Sequence, residues 1–376
     1  MQAYLDNAAT TQLDPEVISV ITEFMTHYYG NPSSTHAIGR EAKVELEKAR
    51  KKVASIIGCK DKELLFTSGG TEANNAILKS LALEGKIERI ISSPIEHHSI
   101  LDTLAWIQKY CKTEILFLDV NELGDIDLIQ LESLLKEEKK TLVSLMHANN
   151  EIGNLLPLKK VGFLCRAYNA LFHSDMVQSF GHLPLSLSEL PLDFATGSGH
   201  KIHGPKGVGF IYTNAKHAKL TTYVHGGAQE RGVRGGTENI IGIIGLAKAF
   251  ELAQHNLSDQ TAKFIRLKNK FVSILHKKIP SATFNGRSNH LEESLPNIIS
   301  ICLPEQKNET LLFNLDMQGV YVSEGSACSS GSNEASHVID ALSKEKSEYN
   351  NLRISFSKFT TFEEIEFAIE RISEAI

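Results

Sequence analysis

The chain has 376 residues, 42% of them hydrophobic and 22% charged, with a formal net charge of −6. That length calls for two domains, or one large domain with a smaller one, and the composition is that of a globular protein. The acidic balance gives no basis for direct nucleic-acid binding, and no window approaches about 18 uninterrupted apolar residues, so no membrane span is expected. Five cysteines, an odd number with no CxxC pair, exclude a disulfide framework or a zinc site; no metal is expected. The opening MQAYLDNAATT has no basic region and no apolar stretch, so it does not read as a signal peptide, and a cytoplasmic protein is expected.

Along the chain, short apolar runs alternate with helical patterns. Strands are expected at ELLFTS (63–68), RIISS (89–93), EILFLD (114–119), TLVSLMH (141–147), ALFHSD (170–175), LDFATGS (192–198) and GVGFIYT (207–213). Helices are expected between the earlier ones, at EANNAILKSLALEG, HSILDTLAWIQKYC, LIQLESLLKEEKK and LKKVGFLCRAYN. Strand–helix alternation of this kind builds βαβ units around a mostly parallel sheet, giving an α/β fold. From about residue 238 the pattern changes to a long helical region (238–279), the strand NIISICL and a mixed α+β tail. The expected division is a large domain, 13–250, and a small domain, 251–376, joined by residues 1–12.

Ligands of open parallel sheets bind outside the carboxyl ends of the strands, so the residues after each strand carry the functional reading. In FTSGGTEANN, glycines turn the chain into a helix, and the unpaired N–H groups there suit a phosphate; the same segment is also an ordinary turn capped by Thr71. It is neither a Walker-type loop nor GxGxxG, which disfavours a triphosphate or dinucleotide. In SGHKIHGPKG, Lys201 follows an apolar strand, where partial desolvation favours Schiff-base chemistry, although most lysines are solvated surface groups. Ser198 and His200 beside it can reach a phosphate. Asp175 ends LFHSD and can face a protonated ring nitrogen or simply cap a helix, and Gln178 can donate to a phenolate oxygen. His97 and His98 end another strand, and position alone does not choose between them. A phosphate cradle, a Schiff-base lysine and an aspartate for a pyridinium are the needs of pyridoxal phosphate.

The cysteines divide by surroundings. Cys59, Cys111, Cys165 and Cys302 read as small core hydrophobes. Cys328 sits in EGSACSSGS, a stretch of small residues that cannot pack a core, so it reads as reactive.

YLDNAATT, GNPSSTH, FTSGGTEANN, EHHSILDT, MHANNEIG, SGHKIHGPKG, HGGAQERGVRGGT and GSACSSGS stand in an order and spacing that resemble NifS/IscS-like cysteine desulfurases, from about Tyr4 to the end. These are fold-type I pyridoxal-phosphate enzymes of the class V aminotransferase superfamily. The resemblance implies a Schiff base to the cofactor at Lys201, ring stacking and proton transfer by His97, and a sulfur nucleophile at Cys328 that becomes a persulfide. It implies Asp175 on the ring nitrogen, Gln178 on the phenolate oxygen, and Gly70, Thr71, Ser198 and His200 on the phosphate. Thr237 would reach the phosphate bound by the other subunit of a homodimer, and Asn150 and Arg353 would take the substrate carboxylate. GSACSSGS resembles the NifS/IscS form rather than the SufS form with its RxGHHC pattern. Ala228 in GGAQE and Gly236 in RGGT depart from the more common GGGQE and RSGT. The implied reaction converts L-cysteine to L-alanine and passes sulfur to an acceptor protein, an iron–sulfur scaffold or a tRNA sulfurtransferase. A selenocysteine lyase, a cysteine-sulfinate desulfinase or an aminotransferase is the alternative on the same scaffold.

Overall fold

The computed structural model describes residues 1–214, 220–304, 308–325 and 336–376. A two-residue strand, β1 (Ala3–Tyr4), precedes two helices, α1 (Pro15–His27) and α2 (Ala37–Ile57). α1 starts where the Asp14 side chain accepts from the Glu16 N–H and Pro15 occupies the first turn, where a missing N–H costs little.

The expected alternation comes next: β2 (Leu64–Thr67), α3 (Gly70–Leu83), β3 (Arg89–Ser92), α4 (His98–Tyr110), β4 (Glu114–Phe117), α5 (Leu128–Leu135), β5 (Thr141–Ser144), α6 (Leu158–Ala167), β6 (Leu171–Asp175), β7 (Phe194–Ser198) and β8 (Gly209–Thr213). All seven apolar runs read as strands join one sheet, in the order β2-β8-β7-β6-β5-β3-β4. Every neighbouring pair is parallel except the two made by β8. Alternate residues of the strands face opposite ways, as the strand period of two requires. Leu65, Ile90, Leu142, Phe194 and Ile211 pack with α3 and α4 through Ala73, Ile77, Ile100 and Leu104. Phe66, Val143, Phe172 and Phe210 pack on the other face with Val53 of α2, Val161 of α6, and Leu246 and Phe250 of the helix α7 (Ile240–His255).

The helical region expected over 238–279 divides at Asn256 into α7 and α8 (Leu257–Lys278). Then come β9 (Thr283–Phe284), β10 (Ile298–Leu303), α9 (Leu311–Met317), β11 (Val320–Tyr321), α10 (His337–Leu342), α11 (Lys344–Ser347), β12 (Asn350–Ser355) and α12 (Phe362–Ala375). β10 lies between β12 and β9, antiparallel to both. Phe264, Leu267 and Phe271 of α8 and Ile365 and Ile369 of α12 form a separate apolar cluster with Ile299, Ile301, Leu352 and Ile354. Ala3 and Leu5 are buried in that cluster, and β1 pairs parallel with β11. Residues just beyond leave it: the Thr11 N–H donates to the His200 carbonyl and the Asp14 N–H to the His203 carbonyl, on the large sheet's side.

Candidate active site

The carboxyl ends of β3, β5, β6 and β7 open into a cavity of about 230 Å³, floored by side chains from widely separated parts of the chain. Lys201 sits in a short helical turn, Gly199–Lys201, directly after β7. Its ammonium donates to the Ala8 carbonyl at 2.6 Å and the Ala9 carbonyl at 2.7 Å, so residues 8 and 9 cover the cavity beside it. Asp175, the last residue of β6, is buried. One of its oxygens accepts from the Val177 N–H at 3.0 Å and the other from Asn74 Nδ2 at 2.7 Å. Gln178 is buried in the following turn and donates to the Ala8 carbonyl at 2.9 Å.

His97 caps α4: its Nδ1 accepts from the Ser99 N–H at 3.1 Å and lies 2.9 Å from Ser99 Oγ. Burial holds its pKa below the ordinary histidine value. The charge of Asp175 opposes this, while Lys201, His98 and His337 add to it. The ring is therefore neutral near pH 7, with Nδ1 engaged and Nε2 left for proton transfer. His98 faces outward against the ring of His337, at 4.6 Å between centroids, and does not line the cavity. That separation of two adjacent histidines could not be read from the strand end alone.

Gly70 opens α3, and a Cβ at that position would lie 2.8 Å from Val177 Cγ2. The glycine thus brings the helix N-terminus, with its unpaired N–H groups, against the cavity wall. Thr71, Ser198 and His200 line the same end, and His200 Nδ1 lies 3.1 Å from Thr10 Oγ1. Burial lowers the His200 pKa to about 4, with Lys201 contributing, so this ring too is neutral.

Arg353, on β12, enters from the small antiparallel sheet. Its Nη2 donates to Asp6 at 2.7 Å and its Nη1 to the Asn150 carbonyl at 2.9 Å, while Nε is buried with no partner among the described residues. Asn150 lies in a turn shaped by Asn149, whose Oδ1 accepts from the N–H groups of Glu151 and Ile152.

Ten of the expected residues thus meet at one cavity: Gly70, Thr71, His97, Asn150, Asp175, Gln178, Ser198, His200, Lys201 and Arg353. Thr237 does not. It lies in a separate hollow with Ser68, Glu230 and Arg234. Cys328 lies outside the described residues. Three participants escaped the sequence reading. Ala8 and Ala9 act through backbone carbonyls, which leave no side-chain signal. Asn74 is 1% exposed and bridges Asp175 to Ser99 and Thr196; the available signal was an amide on the apolar side of α3.

A buried carboxylate, an amine, a neutral imidazole and a helix N-terminus around one cavity at the strand ends fit pyridoxal phosphate, and with this sheet they define a pyridoxal-phosphate-dependent enzyme. The family model "Aminotransferase class-V" matches residues 3–367, and the chain belongs to that family and, within it, to the cysteine desulfurases. It is 40% identical to cysteine desulfurase IscS of Dictyoglomus turgidum, over all of this chain and 94% of that protein. It is 38% identical to cysteine desulfurase IscS of Methanosarcina thermophila, over 99% of this chain and 91% of that one. A solved NifS-like protein superposes with a TM-score of 0.90 at 38% identity, covering all of this chain and 99% of that one. Among the described residues no helix is long and apolar enough to cross a membrane, and no cluster of side chains could hold a metal ion.

Proposed function

We propose that Cys328 takes the sulfur of L-cysteine as a persulfide, leaving L-alanine, while the residues of the cavity hold cofactor and substrate. The observation that supports this reading is the convergence of Lys201, Asp175, His97 and Arg353 on one cavity from four separate elements. Lys201 would bond covalently to pyridoxal phosphate, Asp175 would pair with its ring nitrogen, and Gln178 would donate to its phenolate oxygen. Gly70, Thr71, Ser198 and His200 would hold the phosphate, with His97 and Asn150 beside the ring. When bound, the cofactor supplies an electron sink that makes the substrate Cα–H acidic.

The chain's own groups do the remainder. Arg353 lines the cavity, and its guanidinium would take the substrate carboxylate and so orient the amino acid. His97 moves protons through Nε2, and its lowered pKa favours the neutral ring between turnovers. The Cys328 thiolate bonds to the substrate sulfur as the Cβ–S bond breaks; the electron pair of that bond stays on carbon and takes up a proton, giving the alanine methyl. The persulfide then passes its outer sulfur to an acceptor protein, an iron–sulfur scaffold or a tRNA sulfurtransferase, in the cytoplasm. The exposed Thr237, away from its own chain's cavity, supports a homodimer in which it completes the partner's phosphate site. The apolar clusters on the two faces of the large sheet and the separate cluster around β10 and β12 support a division into residues 13–250 and residues 251–376 with 1–12.

The test is alanine released from L-cysteine under reducing, anaerobic conditions, with wild type and Cys328→Ala side by side. Alanine from the wild type alone is the expected result. Equal alanine from both would remove Cys328 from the reaction and favour a selenocysteine lyase or desulfinase.

A further inference from the structure

Glu151 is a buried carboxylate that the proposed reaction leaves unused. It is 1% exposed, its Oε1 has no hydrogen-bond partner, and no cation lies within ion-pair distance of it among the described residues. Burying a carboxyl group so poorly compensated is costly, so a position that keeps one calls for a reason. Its other oxygen, Oε2, accepts from Ser336 Oγ. A Cβ built on Gly325 would lie 2.8 Å from that same Oε2 and 3.1 Å from Ser336 Cβ. Gly325 has φ +149°, in the region that favours glycine. Gly325 and Ser336 are the residues on either side of the stretch 326–335, which contains Cys328. The chain therefore leaves and returns at one point, and the Glu151 carboxylate stands at that point.

Both flanks are tied to the cavity walls. Before the stretch, Ser323 exchanges backbone hydrogen bonds with Arg353, at 2.7 and 3.4 Å, and its Oγ donates to the Gly325 carbonyl. After it, Ser336 Oγ also accepts from the Ile339 N–H to cap α10, and His337 Nε2 lies 2.9 Å from the carbonyl of Glu96, the residue before His97. Glu151 itself follows Asn150, whose carbonyl holds Arg353. One carboxylate thus bonds to the residue after the cysteine-bearing stretch and lies against the residue before it.

We infer that Glu151 is a positioning residue for sulfur transfer: by holding Ser336 against Gly325 it sets where the Cys328 stretch begins and ends relative to the cavity. This rests on the reading of Cys328 as the nucleophile. The variants Glu151→Ala, Glu151→Gln, Gly325→Ala and Cys328→Ala are compared in the full-length holoenzyme. Three quantities are read: visible absorption of bound cofactor, its change on adding L-cysteine, and persulfide on Cys328 by intact mass after a single mixing.

Glu151→Ala keeps the cofactor absorption and the response to L-cysteine with unchanged KM, while persulfide formation and kcat fall about tenfold or more. Glu151→Gln falls less, because its amide oxygen still accepts from Ser336 Oγ. Gly325→Ala, whose new methyl would meet that oxygen, loses persulfide in the same way. Persulfide formation at the wild-type rate in Glu151→Ala, with Cys328→Ala inactive, overturns this inference alone. So does loss of cofactor absorption in step with persulfide, in both Glu151 variants, since that places Glu151 in the cavity wall only. Alanine release by Cys328→Ala would overturn the nucleophile reading and this inference with it.

Discussion

Asn74 uses both ends of one amide. Nδ2 donates to Asp175 at 2.7 Å and to Ser99 Oγ at 2.8 Å, and Oδ1 accepts from Thr196 Oγ1 at 2.7 Å. The carboxylate that would face a ring nitrogen is thereby fixed in rotation and supplied with a buried donor. A hydrogen bond to a charged group contributes about 1.5–3 kcal/mol. Asn74→Ala is therefore expected to weaken cofactor retention about tenfold, read by titrating the apoprotein and following visible absorption. Lys268 poses the opposite problem, a buried amine with no acid beside it among the described residues. Its Nζ donates to Ser294 Oγ and the Leu295 carbonyl, both at 2.9 Å, which satisfies the two N–H donors of a neutral amine. Burial pushes its pKa down to about 7, against roughly 10.4 for a free lysine. Between those values the unfolded chain binds a proton that the folded chain does not, so stability rises with pH across the window. The penalty is full below about pH 7 and is relieved as pH approaches 10, by up to about 1.4 kcal/mol per pH unit. Lys268→Met lacks this term. On raising the pH from about 7.5 to about 9.5, the urea midpoint of the wild type should gain on that of the variant; a constant gap would show that the amine stays charged.

Elements whose signal is local were legible in the chain, and those held by distant partners were not. The seven strands of the large sheet announce themselves as apolar runs; six are buried on both faces and need continuous hydrophobicity, while the edge strand β4 is partly exposed. Their polar endings point to the site for the same reason: the residues after β3, β5, β6 and β7 stand where ligands of such sheets bind. Nothing local places the backbone of Ala8 on Lys201, 193 positions away, or Asn74 on Asp175, 101 positions away. The segment before α7 shows the same limit. Arg50 of α2 reaches Glu230 through two bonds of 2.9 and 2.7 Å, both side chains almost fully buried. Glu230 also accepts from the Phe66 N–H in β2, and it sits at φ +42°, a left-handed conformation costly for a non-glycine residue. GAQERGVRGGT carries no apolar or helical pattern to place it; its place is set by an ion pair across 180 residues.

The whole molecule is joined by its first fourteen residues, which run from one apolar cluster past the cavity to the other. β1 pairs with β11, and Ala3 and Leu5 are wholly buried in the small cluster. Asp6 then meets Arg353, Asn7 donates to the Ser355 carbonyl, and Ala8 accepts from both Lys201 and Gln178. Thr11 bonds to the His200 carbonyl and Asp14 to Lys358. A segment with ties of this kind at both ends couples the unfolding of the two regions, because neither can open without breaking its hold on the other. Removing residues 1–9 strips the small cluster of two buried apolar side chains and the cavity of its covering carbonyls, while the large sheet keeps every strand. The truncated chain should therefore lose cofactor absorption and melt in two calorimetric steps, the earlier belonging to the region of β10 and β12, where the full chain melts in one. A single step at an unchanged temperature would show that the two regions are coupled by their direct contact and that the N-terminal segment only lies across it.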